Sequence, residues 1–189
     1  RVLFRSDGET DADYVARIMR ESKEHAETAM AKGSEIHQLV EDRMLDPDCD
    51  HQSVLAIRSW LQPWSEHLHH WENEAPAVSF YGFATRADLW LRPGGEPTFE
   101  QGCLIDIKTK DGSTADQKVY DEHAMQLAAT REALGYGNAW AGSQPRVACG
   151  ILFVSRDLPG DVKMVMLDED RIQQGWRMFL ALLTYWQAK

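Results

Sequence analysis

Asp106 and Lys108 lie two residues apart in the run Cys-Leu-Ile-Asp-Ile-Lys-Thr-Lys-Asp-Gly over 103–112, and Asp88 lies eighteen residues upstream in Thr-Arg-Ala-Asp-Leu-Trp over 85–90. Side chains alternate along an extended strand, so Asp106 and Lys108 project from one face while Ile105 and Ile107 project from the other. An anion and a cation then stand side by side at the exposed rim of an otherwise apolar strand. If 85–91 pairs with this strand as a hairpin, Asp88 faces Asp106 across the ladder, at a separation that one cation can bridge. Hard carboxylate oxygens favour Mg2+ or Mn2+ over zinc. Two carboxylates on a divalent ion beside an ammonium group suit phosphodiester hydrolysis. Asp-x-Lys alone is also the pattern of an ordinary strand-surface ion pair worth little, so the weight rests on the surrounding arrangement.

A second group of residues lies on a helical repeat. Gly33, His37 and Glu41 follow one another at intervals of one turn, which places all three along one side of a helix. A neutral imidazole at His37 can ligate a metal, and Glu41 can ligate or hydrogen-bond beside it. His25, His51, His67, His69, His70 and His123 lack such a companion, and the cluster His67, His69 and His70 reads as a solvated helix face.

The elements that must position these groups read as helices first and a sheet afterwards. Tyr14, Val15, Ile18 and Met19 set a helical period over 11–30, and Ile36, Leu39, Val40 and Met44 set a second one, with Gly33 as a turn or close approach between them. The stretch 51–71 has the pattern of another amphipathic helix that Pro63 kinks or divides. Period two then takes over: strands are expected at 77–81, 85–91, 103–109, 147–155 and 162–167, with turns near Gly82, at Arg92 to Pro97 and at Leu158 to Asp161. Helices are expected at 119–134 and 169–186. Such an order gives an α/β fold, a central mixed and partly antiparallel sheet flanked by helices on both sides. The expected organisation is a single domain over 1–189, with 1–72 mainly helical and 73–189 carrying the sheet.

Composition bounds the rest. A chain of 189 residues, 43% hydrophobic, can bury one substantial core. Cys49, Cys103 and Cys149 are dispersed, without the spacing of a structural zinc site, and read as thiols in a reducing compartment. No apolar run approaches a membrane span, and the expectation is a soluble, cytoplasmic protein with no membrane partner. The formal charge of -10 argues against a broad polyanion-binding surface. Any nucleic-acid track is therefore narrow, with Arg86, Lys108, Lys110, Lys118, Arg131, Arg146 and Arg156 as its candidates. Trp60, Trp64, Trp176 and Trp186 fall at apolar helical positions and are expected in the core.

The segments GSEIHQLVE, the glutamate of WENEAPAV, FATRADL, LIDIKT and HAMQLAATREAL, in this order over 33–134, resemble the PD-(D/E)xK nuclease superfamily. The resemblance is to its RecB-like branch, which includes Cas4-type proteins and the mitochondrial genome maintenance exonucleases. It implies a restriction-endonuclease-like core and a Mg2+- or Mn2+-dependent deoxyribonuclease. His37, Asp88, Asp106 and the carbonyl of Ile107 would hold the metal, with Glu41 as an outer or alternate ligand. Lys108 would act on the attacking water and Gln126 and Arg131 would touch the substrate. The branch commonly carries a tyrosine four residues after the glutamine, where this chain has Thr130, and a glycine shortly before the first aspartate, where it has Thr85. Three dispersed cysteines cannot form the iron-sulfur cluster of some members, so the cluster-free exonucleases are the nearer comparison. DNA with free ends or single strands is the implied substrate, with a protein partner as a further source of DNA affinity. A non-catalytic nucleic-acid-binding or assembly subunit of the same fold is the alternative.

Overall fold

The computed structural model describes residues 8–64, 70–93, 101–136 and 146–189. Thr10 opens α1 (Asp11–Arg43) by accepting a hydrogen bond from the Asp13 amide at 3.2 Å, and Asp11 and Asp13 put negative charge where the first amides lack partners. At the far end, Arg58 of α2 (Gln52–Leu61) donates to the carbonyls of Arg43, Met44 and Asp46, which ties the two helices together. The two periodic segments expected on either side of Gly33 are thus one helix of 33 residues. A glycine inside a helix costs about 1 kcal/mol relative to alanine. What it permits here is approach: a Cβ on Gly33 would lie 2.9 Å from Thr109 Oγ1. The first half of α1 does not bury its apolar period, since Val15, Met19 and Met30 are exposed; Ile36, Val40 and Met44 carry the packing.

The helix expected over 51–71 ends at Leu61, two residues before Pro63, and Trp71 begins a strand instead. Proline cannot donate the next helical hydrogen bond, and a change to period two follows it. Among the described residues five strands form one sheet in the order β1 (Trp71–Val78), β2 (Ala84–Leu91), β3 (Gln101–Lys110), β4 (Arg146–Ser155) and β5 (Val162–Leu167). All neighbours are antiparallel except β3 and β4, whose parallel pairing requires a crossover that α3 (Asp121–Ala133) supplies. The Leu158 to Asp161 turn leads into β5, and α4 (Glu169–Gln187) follows, capped by Asp168. The expected Arg92 to Pro97 turn lies largely outside the described residues, but the strands on either side pair as a hairpin requires.

The sheet separates two apolar layers. Val40, Met44, Ile57 and Leu61 of α1 and α2 pack on Cys103, Ile105 and Ile107 of β3 and on Leu152 and Val154 of β4. Leu127 and Ala128 of α3 and Ile172 of α4 pack on the opposite face, against Leu104, Ile151 and Phe153. The result is an α/β fold with β3 at the centre of a mixed sheet. Cys49, Cys103 and Cys149 are buried free thiols. Among the described residues, Trp71 and Trp90 are the tryptophans enclosed in these layers, and Trp64 and Trp176 lie partly buried against them. Trp60 and Trp186, expected in the core, are 44% and 69% exposed, because α2 buries only the stripe of Ser53, Val54, Ile57 and Leu61 and the end of α4, residues 184–189, is exposed throughout. Among the described residues no helix is long and apolar enough to cross a membrane.

Gly175 marks where α4 crosses α3, for a Cβ there would fall 2.4 Å from the Ala124 carbonyl oxygen. Gly175→Ala should therefore destabilise the protein by about 1–3 kcal/mol, although alanine is the better helix former. Urea unfolding midpoints measure this, and an unchanged or raised midpoint would mean that the helices do not meet so closely.

Candidate active site

The β1 and β2 ladder keeps one register from Trp71 opposite Leu91 to Val78 opposite Ala84, but it omits the pair Glu74 and Asp88. Glu74 has φ 53, a left-handed conformation uncommon for a residue other than glycine. The two strands change face at this point. Trp71 and Leu89 belong to the layer under α1 and α2, whereas Ala75 and Ala87, an even number of residues away, belong to the layer under α3 and α4. Strand alternation would put each pair on one face. The twist therefore turns Glu74 and Asp88 out of the regular pleat.

The β2 and β3 ladder stops at the same place, at Leu89 opposite Ile105. Continued one step, it would set Asp88 opposite Asp106, as the sequence leads one to expect. Instead β2 leaves β3, and Asp88 Oδ2 accepts the Ile107 amide at 2.7 Å in place of a backbone carbonyl. The carbonyl of a strand residue points to the same edge as its amide. That of Ile107 is therefore directed into the gap between the two strands.

Three ligand-bearing groups converge at this gap. One donor atom each from His37, Glu74 and Asp88 lies within 4.8 Å of the other two, and His37 Nδ1 is 3.8 Å from Asp88 Oδ2. His37 comes from α1, one turn beyond the close approach at Gly33; Glu74 and Asp88 come from the twist. An imidazole and two carboxylates at this spacing could hold a metal ion. They line a cleft of about 610 Å³ that also reaches Glu41, Arg86, Thr109 and Arg156. Glu41 is exposed at the cleft wall, while its main-chain carbonyl accepts from Asn73 Nδ2 at 3.1 Å and fastens α1 to β1. Arg86 reaches back along β2 to pair with Glu74. Burial raises the Glu74 pKa above the ordinary carboxylate value, and the negative charge of Asp88 adds to it.

Asp106 and Lys108 face the other side of β3, toward α3. There Lys108 Nζ lies 2.9 Å from Asp106 Oδ2 and donates to Gln126 Oε1 at 2.8 Å, and Gln126 Nε2 donates to Asp106 Oδ1 at 2.6 Å. The three side chains form a closed ring of contacts. Asp106 is not at an exposed rim, being 5% exposed under α3, and its oxygens do not share the close spacing of His37, Glu74 and Asp88. Burial pushes its pKa up to about 6, with Asp88 adding to the rise and Lys108 opposing it. A narrow cavity on this side is lined by Asp106 and Gln126 together with Arg86 and Asp88, so those last two residues border both halves of the site.

Thr85 and Thr130, the two departures from the nuclease pattern, meet each other: their hydroxyl oxygens are 2.9 Å apart, joining β2 to α3 one turn beyond Gln126. Arg131, expected to touch substrate, is 3% exposed and grips Glu169 with both terminal nitrogens, at 2.7 and 2.8 Å. It fastens α3 to α4. Arg156 lies 2.9 Å from Asp111 beside the cleft. Lys118 is exposed, and the side chain of Arg146 is outside what the structure describes.

Glu74 was the least legible member. The nuclease pattern points to a glutamate of Trp-Glu-Asn-Glu-Ala-Pro without choosing between Glu72 and Glu74. Counting outward from the turn at Gly82 would have chosen, because Val78 opposite Ala84 puts Glu74 opposite Asp88.

No family model and no curated protein matches the chain. Several solved structures are similar to it, among them two of low identity. One, from Eubacterium rectale, bears a provisional name as an exonuclease; it is 12% identical with a TM-score of 0.46 over 83% of this chain. The other, SSO0001, is 18% identical with a TM-score of 0.32 over 68% of this chain. The chain spans 66% and 55% of the lengths of these two proteins.

The buried Asp106 gives a direct test of this geometry without metal. Its folded pKa of about 6 stands above the ordinary 3.8, so between those values the folded state holds more protons and stability falls as pH rises. Asp106→Asn removes that cost. In chelator, the variant should melt above the wild type at pH 7.5, with the advantage fading as pH falls through about 6 and gone below 3.8. A variant that melts lower at pH 7.5 would show that the carboxylate is stabilised where it sits.

Proposed function

We propose that the protein is a divalent-metal-dependent deoxyribonuclease that hydrolyses phosphodiester bonds in the cleft between α1 and the split of β2 from β3. One observation carries the reading: a His37, Glu74 and Asp88 cluster stands on one side of β3 and an Asp106, Lys108 and Gln126 ring on the other, joined through Asp88 and Ile107. Two carboxylates and one imidazole fit Mg2+ or Mn2+, and the Ile107 carbonyl, directed into the same gap, can add a further oxygen. When bound, such an ion polarises a phosphoryl oxygen and offsets charge that develops in the transition state.

The chain's own residues do the remainder. Lys108 is held by Asp106 and Gln126 with its ammonium group fixed, so it can position a water for attack and stabilise negative charge on the phosphoryl group. The water oxygen bonds to phosphorus as its protons leave, one to solvent and one to the bridging oxygen whose P–O bond breaks. The lysine is assigned to positioning water and stabilising charge, because its ammonium group is held between Asp106 and Gln126. Gln126, exposed at the start of a path along α3, is placed to donate to the substrate backbone once it releases Asp106.

The substrate reading follows from charge. Several cations near the site are already matched: Arg86 with Glu74, Lys108 with Asp106, Arg156 with Asp111 and Arg131 with Glu169. With a formal charge of -10, the protein offers a narrow grip and no broad duplex surface. This supports action on DNA ends or single strands, with a partner protein as a further source of affinity, inside a single catalytic domain of a cytoplasmic protein.

Digestion of end-labelled linear and circular DNA, single- and double-stranded, with Mg2+, Mn2+ or chelator, tests the proposal. Linear single strands should shorten only with a divalent ion and closed circles should survive. Cutting of circles at a defined sequence would overturn the end-dependent reading, and no cleavage under any condition would favour a non-catalytic nucleic-acid-binding subunit.

Lys108→Ala should stay folded, with a lowered melting temperature because the buried Asp106 loses its cation, yet lose turnover by about 100-fold or more. Near-wild-type rates from folded Lys108→Ala would remove the lysine from the mechanism.

A further inference from the structure

Arg86 has an unusual position. It lies two residues before Asp88 on β2, borders both the cleft and the narrow cavity on the α3 side, and places its guanidinium on the Glu74 carboxylate. Its own side chain is 67% exposed, whereas that of Glu74 is 14% exposed. The contact therefore costs Arg86 little desolvation and neutralises a carboxylate that has little water of its own. Glu74 is also one of the three groups whose spacing suits a cation, so the guanidinium and an ion compete for one carboxylate.

We propose that Arg86 is an exchangeable counter-cation: it pairs its charge with Glu74 while the cluster is empty, and an entering divalent ion releases it to bind a phosphate of a nucleic-acid strand lying in the cleft. The inference rests on the nuclease reading for its ligand and adds a coupling between metal and substrate. Arginine suits both tasks, since one planar fork matches carboxylate and phosphate oxygens alike. The exchange is local. Residues 84–91 stay in the sheet and a long exposed side chain changes partner, so no backbone movement is needed. Linkage makes the effect reciprocal: if the ion frees Arg86 for phosphate, bound phosphate strengthens retention of the ion by the same factor.

Two measurements on the full chain test this. Titration calorimetry with Mn2+ on DNA-free protein should give a several-fold tighter site in Arg86→Gln than in wild type, because a competitor for Glu74 is gone. Arg86→Lys, which keeps the charge without the fork, should fall between them and also serves if Arg86→Gln fails to fold. Equal or weaker Mn2+ binding by both variants would overturn the proposal. Anisotropy of a labelled single strand across a salt series, in the Lys108→Ala background, provides the second reading. With Mn2+, adding Arg86→Gln should reduce the log–log salt slope by about 0.7, the loss of one single-strand phosphate contact; in chelator the slope should not change. An equal reduction in both conditions would make Arg86 an ordinary phosphate contact and overturn the exchange. If wild type takes up no Mn2+ at all, the metal reading of the site falls and the proposal with it; Mn2+ uptake unaffected by Arg86 removes the exchange alone.

Discussion

The break in the sheet at Glu74 and Asp88 is the constraint on which the rest of the site depends. A regular antiparallel ladder would point these side chains into the pleat and pair their backbones. The left-handed Glu74 prevents both, and it does so where β2 also parts from β3. A residue in this conformation costs of order 1–3 kcal/mol. The ladder on either side keeps its register, so the irregularity is confined between well-paired segments that hold it in place. The opening it makes exposes the Ile107 edge of the central strand, which Asp88 then closes at 2.7 Å.

From that opening follows the two-sided character of the site. The metal-type cluster uses α1 and the α1 side of the sheet; the lysine ring uses α3 and the opposite side. Each helix is fixed by contacts outside the cluster and the ring. Gly33 lets α1 lie against Thr109, while Gly175 and the enclosed Arg131 pair with Glu169 fix α3 on α4. The hydroxyls of Thr85 and Thr130 then connect α3 to β2 directly. Two residues that depart from the nuclease pattern thus make one contact, and it lies on the α3 side of the site.

Much of this was legible in the sequence. The alternation of Leu104, Ile105, Asp106, Ile107 and Lys108 read correctly because a strand with both faces covered leaves its polar residues few places to go. The turn at Gly82 and the strands after it were legible for a similar reason, since turn chemistry is local. Three things were not. The helix through Gly33 read as two because glycine signals a break unless the partner it approaches is known. The burial of Asp106 was hidden because alternation tells the face and not what covers it; here α3, arriving from twenty residues downstream, supplies Gln126. The role of Glu74 was obscured because no pattern of residue types announces a left-handed glutamate, and the exposure of Trp60 and Trp186 shows that apolar character at a helical position does not by itself indicate a partner.

The central claim is that the twist exists to gather His37, Glu74 and Asp88 around one divalent ion. Anomalous X-ray scattering from crystals grown with Mn2+ tests it most directly. The account predicts one strong manganese peak coordinated by a His37 ring nitrogen and by carboxylate oxygens of Glu74 and Asp88, with Arg86 turned away from Glu74. A manganese peak held by other side chains, or crystals saturated with Mn2+ in which Arg86 still occupies Glu74 and the cluster shows no peak, would contradict it.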